Sequence, residues 1–128
     1  MTTTAANGRH ALIVDDEAGI RYFFRAVLEK RGFVCSEAAD GEEALAMMDQ
    51  GSYDLMTLDV RMPGMGGLDV LREVRNQTRT LPIIIVTALG DPEIAATALT
   101  ESGANGFVGK PCSTDQIVTA VERVMAVA

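Results

Sequence analysis

Short apolar runs alternate with helical patterns along the whole chain, and this alternation limits the fold more than any other feature. The runs occupy residues 11–14, 33–38, 53–60, 82–86 and 106–109, with the sequences ALIV, FVCSEA, YDLMTLDV, PIIIV and GFVG. Runs of this length are typical of strands, and strands separated by helices pair in parallel through right-handed crossovers. The pattern therefore predicts an α/β fold in which helices cover both faces of a five-stranded parallel sheet.

Five helices are expected to connect and follow the strands. The first carries an apolar stripe at the spacing of one helical face, formed by Ile20, Phe23, Phe24, Val27 and Leu28. Residue pairs at capping-box or N-cap spacing mark the starts of three others: Asp40 with Glu43, Asp91 with Pro92, and Ser113 with Gln116. We expect a doubly wound sheet with strand order 2-1-3-4-5 in a three-layer α/β/α domain.

Size and charge exclude several classes of protein. The length of 128 residues fits one domain, and 11 Lys and Arg against 18 Asp and Glu give a net charge of -7, which disfavours direct binding of nucleic acid. Two cysteines, Cys35 and Cys112, make no disulfide framework and fit a reducing compartment. No apolar run reaches the roughly 20 residues of a membrane span, and no signal peptide is recognisable. We expect a cytoplasmic protein that does not enter membranes, with a disordered tail at residues 1–8 and one domain at residues 9–128.

Polar side chains follow four of the five predicted strands, at the point where each strand ends. They are Asp15, Asp16 and Glu17 after the first strand, Asp59 after the third, Thr87 after the fourth and Lys110 after the fifth. Ligands of a doubly wound sheet bind outside the carboxyl ends of the strands, and strands one and three are neighbours in this order. Asp15, Asp16 and Asp59 are therefore expected to meet in one crevice.

The chemistry of this crevice favours a metal ion and a phosphoryl group. Three carboxylates repel one another unless a cation lies among them, and ligands that are all oxygen suit Mg²⁺, which leaves room for phosphate oxygens. Lys110 offers a positive charge and Thr87 a hydroxyl donor, both suited to the oxygens of a phosphoryl group in transfer. Asp59 is the candidate nucleophile, because a carboxylate can form an aspartyl-phosphate directly.

The chain resembles the receiver domains of two-component response regulators over essentially all of residues 9–128. The resemblance is carried by four motifs in the family's order: LIVDDE with Asp15 and Asp16, LDVRMPGM with Asp59, IIIVTA with Thr87 and FVGKP with Lys110. It implies that Asp59 is the phosphoacceptor and that Asp16, Asp59 and the backbone carbonyl of Arg61 bind Mg²⁺. It further implies that Asp15 acts mostly through coordinated water, that Thr87 and Lys110 contact the phosphoryl group, and that the peptide bond before Pro111 is cis.

The same resemblance implies a switch and a set of partners. Thr87 is expected to move toward the phosphoryl group and Phe107 to turn inward, which alters the face made by the fourth helix, the fifth strand and the fifth helix. Because Phe107 has no hydroxyl, an inward position leaves no polar group unsatisfied, which favours that position. The implied donor is a sensor histidine kinase or a histidine phosphotransfer protein. Output passes to a downstream protein or a fused output domain, and a homodimer through the same face is a further expectation. Such a chain is not an enzyme in the usual sense, because it catalyses only its own phosphorylation and slow dephosphorylation.

Each candidate residue also has a purely structural interpretation. Asp15 or Asp16 can cap the first helix, Lys110 can be a solvated charge, and Thr87 can be a β-branched strand residue. His10 is expected to be an exposed residue at a strand start, without a role in chemistry. Cys35 is expected to be buried, while the reactivity of Cys112 is left open.

Three other classes of protein share parts of this pattern. A phosphatase of the haloacid-dehalogenase type also uses an aspartyl-phosphate and Mg²⁺, but it has Asp-x-Asp after its first strand and a cap domain for which this chain has no room. A flavodoxin-like flavin binder needs a hydroxyl-rich phosphate loop where this chain has DDEAGI. A scaffold that keeps the fold without phosphate signalling is the third alternative, and the intact set of acids, hydroxyl and lysine argues against it.

Overall fold

The structure is a computed structural model that describes residues 9–78, 80–88, 97–98 and 103–126. The predicted tail at residues 1–8 lies outside the described residues. So does the predicted start of the fourth helix at Asp91 and Pro92. None of the described helices combines the length and apolar character required to cross a bilayer.

Five parallel strands form one sheet, with the predicted order confirmed as β2-β1-β3-β4-β5. The strands are β1 (His10–Val14), β2 (Val34–Ala38), β3 (Leu55–Asp59), β4 (Ile83–Ala88) and β5 (Gly106–Lys110). The fourth strand extends two residues beyond the predicted apolar run, because Thr87 and Ala88 pair with Gly109 and Lys110 of β5. Thr87 and Lys110 are therefore strand residues, held by the ladder, and do not belong to loops.

Four helices are described: α1 (Ala18–Lys30), α2 (Gly41–Gln50), α3 (Gly67–Gln77) and α4 (Thr114–Ala126), of which α4 is the predicted fifth helix. Two of the predicted caps are present. The Asp40 side chain accepts from the Glu43 backbone N–H at 2.7 Å, and the Ser113 hydroxyl accepts from the Gln116 backbone N–H at 3.2 Å. These bonds satisfy donors that the first turn of a helix leaves unpaired.

The side chains of the sheet alternate between two apolar layers, one on each face. One layer packs against α2 and α3 and includes Leu12, Val14, Met56, Leu58, Ile83, Ile85, Val70, Leu71 and Val74. The other packs against α1 and α4 and includes Ala11, Ile13, Leu55, Ile84, Val86, Phe24, Val27, Leu28, Ile117, Val121 and Val124. Both faces are covered, as expected for a parallel sheet, and all five residues of β3 are buried.

Two predictions concern the burial of residues outside the site, Cys35 and His10. Cys35 is buried in β2, as predicted. His10 begins β1, but the expectation that it is exposed is wrong: its ring is half-buried. The ring Nε2 lies 2.8 Å from the Ser36 hydroxyl, and the ring centroid lies 4.6 Å from that of Tyr53. The side chains of Ser36 on β2 and of Tyr53, which precedes β3, therefore cover part of the ring.

The loop after β3 folds back on the strand that it leaves. Gly67, the first residue of α3, donates its backbone N–H to the carbonyl of Val60 at 2.9 Å. A Cβ atom at this position would lie 2.2 Å from the Asp59 carbonyl oxygen and 2.7 Å from the Val60 Cα atom. The start of α3 can therefore approach the end of β3 only because residue 67 lacks a side chain.

Substitution of Gly67 by alanine is expected to destabilise the domain by about 3 kcal/mol, at the upper end of the usual cost of overpacking. The clash is with backbone atoms, so it outweighs the gain of about 1 kcal/mol in helix propensity from glycine to alanine. Gly66→Ser is the matched control, because a Cβ atom there meets its nearest neighbour at 3.5 Å and serine is a better N-cap than glycine. Urea denaturation of both variants checks the prediction, and equal stabilities of the two would contradict it.

Candidate functional site

The ends of β1 and β3 bring two buried acids side by side. Val14 pairs with Leu58 in the ladder between these strands, so Asp15 and Asp59 are the next residues along each chain. Their exposures are only 2% and 4%. Asp15 continues the pairing with β2, because its backbone N–H donates to the Ala38 carbonyl at 3.1 Å. The ladders thus fix both carboxylates at the carboxyl edge of the sheet, where the sequence predicts them.

Lys110 connects these two acids from the far edge of the sheet. Its Nζ atom lies 2.9 Å from Asp15 Oδ2 and 3.4 Å from Asp59 Oδ2. It also lies 3.4 Å from Glu17 Oε1. The lysine side chain is 19% exposed, and the peptide bond between Lys110 and Pro111 is cis. Lys110 is therefore a partly buried charge shared among three acids.

Burial and mutual repulsion make the Asp59 carboxylate costly to ionise. Desolvation by burial, reinforced by the negative charge of Asp15, raises the pKa of Asp59 from 3.8 to about 6. Lys110 and a backbone hydrogen bond from Arg61 offset part of this rise. For Lys110 itself, burial alone would lower the pKa, but the carboxylates of Asp15 and Asp59 raise it above its ordinary value. The ammonium is thus charged at neutral pH, and Asp59 is ionised there at an energetic cost.

Thr87 contributes a hydroxyl that has no hydrogen-bond partner within the described part of the chain. The residue is 3% exposed and lies on β4, next to Val86, which pairs with Asp59. A buried hydroxyl without a partner costs about 1–3 kcal/mol, so its presence asks for an explanation. A ligand oxygen at the carboxyl end of β3 and β4 would supply the missing partner.

The donor atoms at the end of β1 fit a hard divalent cation. Carboxylate oxygens of Asp15, Asp16 and Glu17 lie within 4.8 Å of one another, with Asp15 buried and the other two exposed. Oxygen-only ligands of this kind suit Mg²⁺. The group includes Glu17, whereas the sequence-based set has Asp59 as its third acid. Asp59 is linked to this group through the Lys110 ammonium, which contacts both Asp15 and Asp59.

Three further residues complete the surroundings of the site. Arg61, two residues after the end of β3, is exposed. Phe107 on β5 is half exposed, so the inward position is not the one in this structure. Its lack of a hydroxyl therefore does not by itself bring the ring inward. Cys112 is half-buried, and burial raises the pKa of its thiol in spite of the nearby Lys110, which disfavours a reactive thiolate.

Sequence reasoning gave no role to two residues that contact the predicted set. Glu17 pairs with Lys110, and its position directly after Asp15 and Asp16 was the only available signal. Arg21 on α1 donates from Nη1 to the Asp15 carbonyl oxygen at 2.6 Å and from Nε to Glu37 Oε1 at 2.9 Å. No sequence pattern indicates this contact, because it depends on how α1 packs over β1 and β2.

Comparison with known proteins gives a consistent result across sequence and structure. The family model for the response regulator receiver domain matches residues 11–122. The chain is 38% identical to the transcriptional regulatory protein ResD of Bacillus subtilis over 119 residues, which are 93% of this chain and 49% of ResD. It is 35% identical to the DNA-binding transcriptional regulator NtrC of Salmonella typhimurium over 89% of this chain and 24% of NtrC. The chain thus spans about half of the first relative and about a quarter of the second.

A solved structure has a similar fold. The receiver domain of NtrX from Brucella abortus superimposes with a TM-score of 0.87 at 31% sequence identity, covering 92% of this chain and 99% of that domain.

The raised pKa of Asp59 predicts a pH-dependent effect of Asp59→Asn in buffer with EDTA. The folded pKa of about 6 exceeds the unfolded value of 3.8, so the stability of the wild type falls as the pH rises through this interval. Asparagine carries no charge, so the variant is expected to be more stable than the wild type by about 2–3 kcal/mol at pH 7.5. The difference should become small near pH 4 and vanish below the unfolded pKa of 3.8, where Asp59 is protonated in both states.

Urea denaturation at several pH values measures this difference. Asp49→Asn, at an exposed position near the end of α2, is the matched control and should shift stability by less than about 0.5 kcal/mol across the range. A difference for Asp59→Asn that does not change between pH 4 and pH 7.5 would contradict the prediction.

Proposed function

This chain belongs to the response regulator receiver domain family, and we propose from that premise that it accepts a phosphoryl group on Asp59 in a two-component phosphorelay. The observation that carries the proposal is the Lys110 ammonium, which lies within 3.4 Å of the buried carboxylates of both Asp15 and Asp59. The hydroxyl of Thr87, which has no hydrogen-bond partner among the described residues, supports it from the neighbouring strand. An acid, a fixed cation and a free donor are the parts that phosphoryl transfer to a carboxylate needs.

In the proposed reaction an oxygen of the ionised Asp59 carboxylate attacks the phosphorus atom of a phosphohistidine. The phosphorus–nitrogen bond breaks, its electron pair stays on the imidazole of the donor, and the new bond joins phosphorus to the Asp59 oxygen. Lys110 keeps its charge close to the transferred oxygens, and Thr87 donates its hydroxyl to one of them. The site holds Asp59 and Lys110 in place before the donor arrives, so little reorganisation of these two groups is required.

Asp15, Asp16, Asp59 and the backbone carbonyl of Arg61 are the proposed Mg²⁺ ligands, with Asp15 acting mostly through water. When bound, Mg²⁺ would neutralise negative charge on the phosphoryl oxygens. The acid group at the end of β1 supports this assignment, and Glu17 adds a third carboxylate to it. The excess of acidic groups over the single lysine gives the site a negative charge that a divalent cation balances.

The proposed output is a change in the surface around Phe107. Thr87 is proposed to move toward the phosphoryl group and Phe107 to turn inward. Phe107 now lies half exposed beside a groove of about 600 Å³ between β5 and α4. The face formed by the predicted fourth helix, β5 and α4 is then the surface that a downstream protein, an attached output domain or a second copy of the chain recognises.

The proposed donor is a sensor histidine kinase or a histidine phosphotransfer protein, and the proposed compartment is the cytoplasm. The relatives ResD and NtrC are named as regulators of transcription, and each is longer than this chain. The chain is proposed to catalyse only its own phosphorylation and slow dephosphorylation. The group that is phosphorylated, Asp59, is part of the chain, so no separate substrate is turned over. Direct contact with nucleic acid is not proposed for this domain, whose net charge is -7.

Incubation with Mg²⁺ and a small acyl phosphate is expected to add one phosphate that is stable to acid and labile to base. Asp59→Asn should gain none, and Lys110→Met should react at least about 10²-fold more slowly, because the developing charge loses its fixed cation. Intact-mass spectrometry with hydroxylamine treatment measures both outcomes.

Asp54→Asn is the matched control, because Asp54 precedes the same strand at the opposite end, where its side chain accepts from the His10 backbone N–H at 2.8 Å. This variant should be phosphorylated like the wild type. A phosphate on Asp59→Asn, or a wild type that acquires none, would refute the assignment.

A further inference from the structure

Arg21 holds the turn that carries the acids at the end of β1. Its Nη1 atom donates to the Asp15 carbonyl oxygen at 2.6 Å, and its backbone N–H donates to the Glu17 carbonyl oxygen at 3.1 Å. We propose that Arg21 is a positioning residue for Mg²⁺ binding, which fixes the direction in which the Asp16 carboxylate leaves the backbone. This inference rests on the proposed function, because it concerns the same metal site.

The two acids of this turn depend on the backbone to different degrees. Asp15 is buried, and its carboxylate is fixed by the Glu17 backbone N–H at 2.9 Å and by Lys110 at 2.9 Å. Asp16 is exposed, so water competes for its carboxylate and the direction of its side chain follows from its backbone. The Asp15 carbonyl and the Asp16 amide belong to one planar peptide unit. A hydrogen bond that fixes the orientation of this carbonyl therefore also fixes the orientation of the peptide plane that contains the Asp16 backbone nitrogen.

Arg21 can serve as a fixed point because it is itself held. Its Nε atom donates to Glu37 Oε1 on β2 at 2.9 Å, and its side chain is only 16% exposed. The planar guanidinium thus joins two acceptors, one on β2 and one at the end of β1, with two nitrogens of one rigid group. Arg25, one turn further along α1, donates from Nε to the other Glu37 oxygen at 2.6 Å. Glu37 aligns both arginines, but within the described part of the chain Arg21 is the one of the two that donates to the Asp15 carbonyl oxygen.

The direction in which Mg²⁺ affinity changes when Arg21 is lost distinguishes a positioning role from a purely electrostatic effect. A positive charge close to the acids disfavours a divalent cation, so loss of the Arg21 charge alone would strengthen Mg²⁺ binding. Loss of the fixed peptide plane would weaken binding, because ligands that are free to turn must be ordered when the ion arrives. Groups that orient metal ligands in this way typically change metal affinity 10- to 100-fold when they are removed.

The experiment compares Mg²⁺ affinities of the full chain by amide NMR titration with MgCl₂ at constant ionic strength. Arg21→Met is expected to raise the dissociation constant by roughly 10-fold or more. Arg21→Lys should raise it by a smaller factor, because an ammonium keeps the charge but cannot bond both acceptors as a planar fork does. Arg25→Met is the matched control, which loses the same Glu37 partner and should keep the affinity within about twofold of the wild type.

Thermal denaturation in EDTA provides the second measurement. Arg21→Met and Arg25→Met should both lower Tm, since each loses an ion pair with Glu37, while only the first loses affinity for Mg²⁺. Should Arg21→Met fail to fold, Arg21→Lys carries the test.

Three outcomes would overturn the inference. They are Arg21 variants that bind Mg²⁺ as tightly as the wild type, Arg21 variants that bind it more tightly, and an Arg25→Met variant that weakens binding as much as Arg21→Met. A wild type that does not bind Mg²⁺ at millimolar concentrations would overturn the proposed function together with this inference. If the inference alone fails, the wild type still binds Mg²⁺, so the two failures can be distinguished.

Discussion

The ion pair between Lys110 and two buried carboxylates is the interaction on which the site depends. Asp15 and Asp59 lie at the ends of neighbouring strands, and burial together with the negative charge of Asp15 raises the pKa of Asp59 to about 6. Lys110 reduces that cost without removing it, because one ammonium group is shared by Asp15, Asp59 and Glu17. The site therefore retains unbalanced negative charge that a divalent cation can neutralise. The ammonium group of the same lysine is also placed to contact the negatively charged oxygens of a phosphoryl group on Asp59.

The sheet provides the rigidity that this arrangement needs. β3 is the central strand, and all of its residues are buried. Its ladder with β1 runs to Leu58 and its ladder with β4 runs to Asp59, after which the Val60 backbone N–H donates to the Val86 carbonyl. Gly67 lets α3 begin directly against that end. Thr87 and Lys110 are themselves strand residues. The groups proposed to contact the phosphoryl oxygens are thus held by backbone hydrogen bonds, and Asp16, on the exposed turn, is the ligand that needs the support of Arg21.

Much of this arrangement could be predicted from the sequence, because apolar runs mark the strands and the order 2-1-3-4-5 is common among doubly wound sheets. Apolar runs that end in Asp15, Asp59, Thr87 and Lys110 predict that these residues meet, and the described geometry brings Lys110 to both acids. The extension of β4 to Ala88 could not be read from the apolar run, since it depends on pairing with β5. The role of Arg21 was missed because its contacts cross from a helix to two strands. The prediction that His10 is exposed was wrong because Tyr53, from another segment, covers its ring. Side-chain contacts between elements depend on packing, which one sequence does not show.

The central claim is that Asp59 is a buried acid whose ionisation is opposed by its surroundings and supported by cations. The most direct measurement is a pH titration of the Asp59 side-chain carboxyl carbon by NMR, without Mg²⁺ and with saturating Mg²⁺. The account predicts a pKa near 6 without the ion and a clear fall when Mg²⁺ is added. An ordinary pKa near 3.9 under both conditions would contradict it.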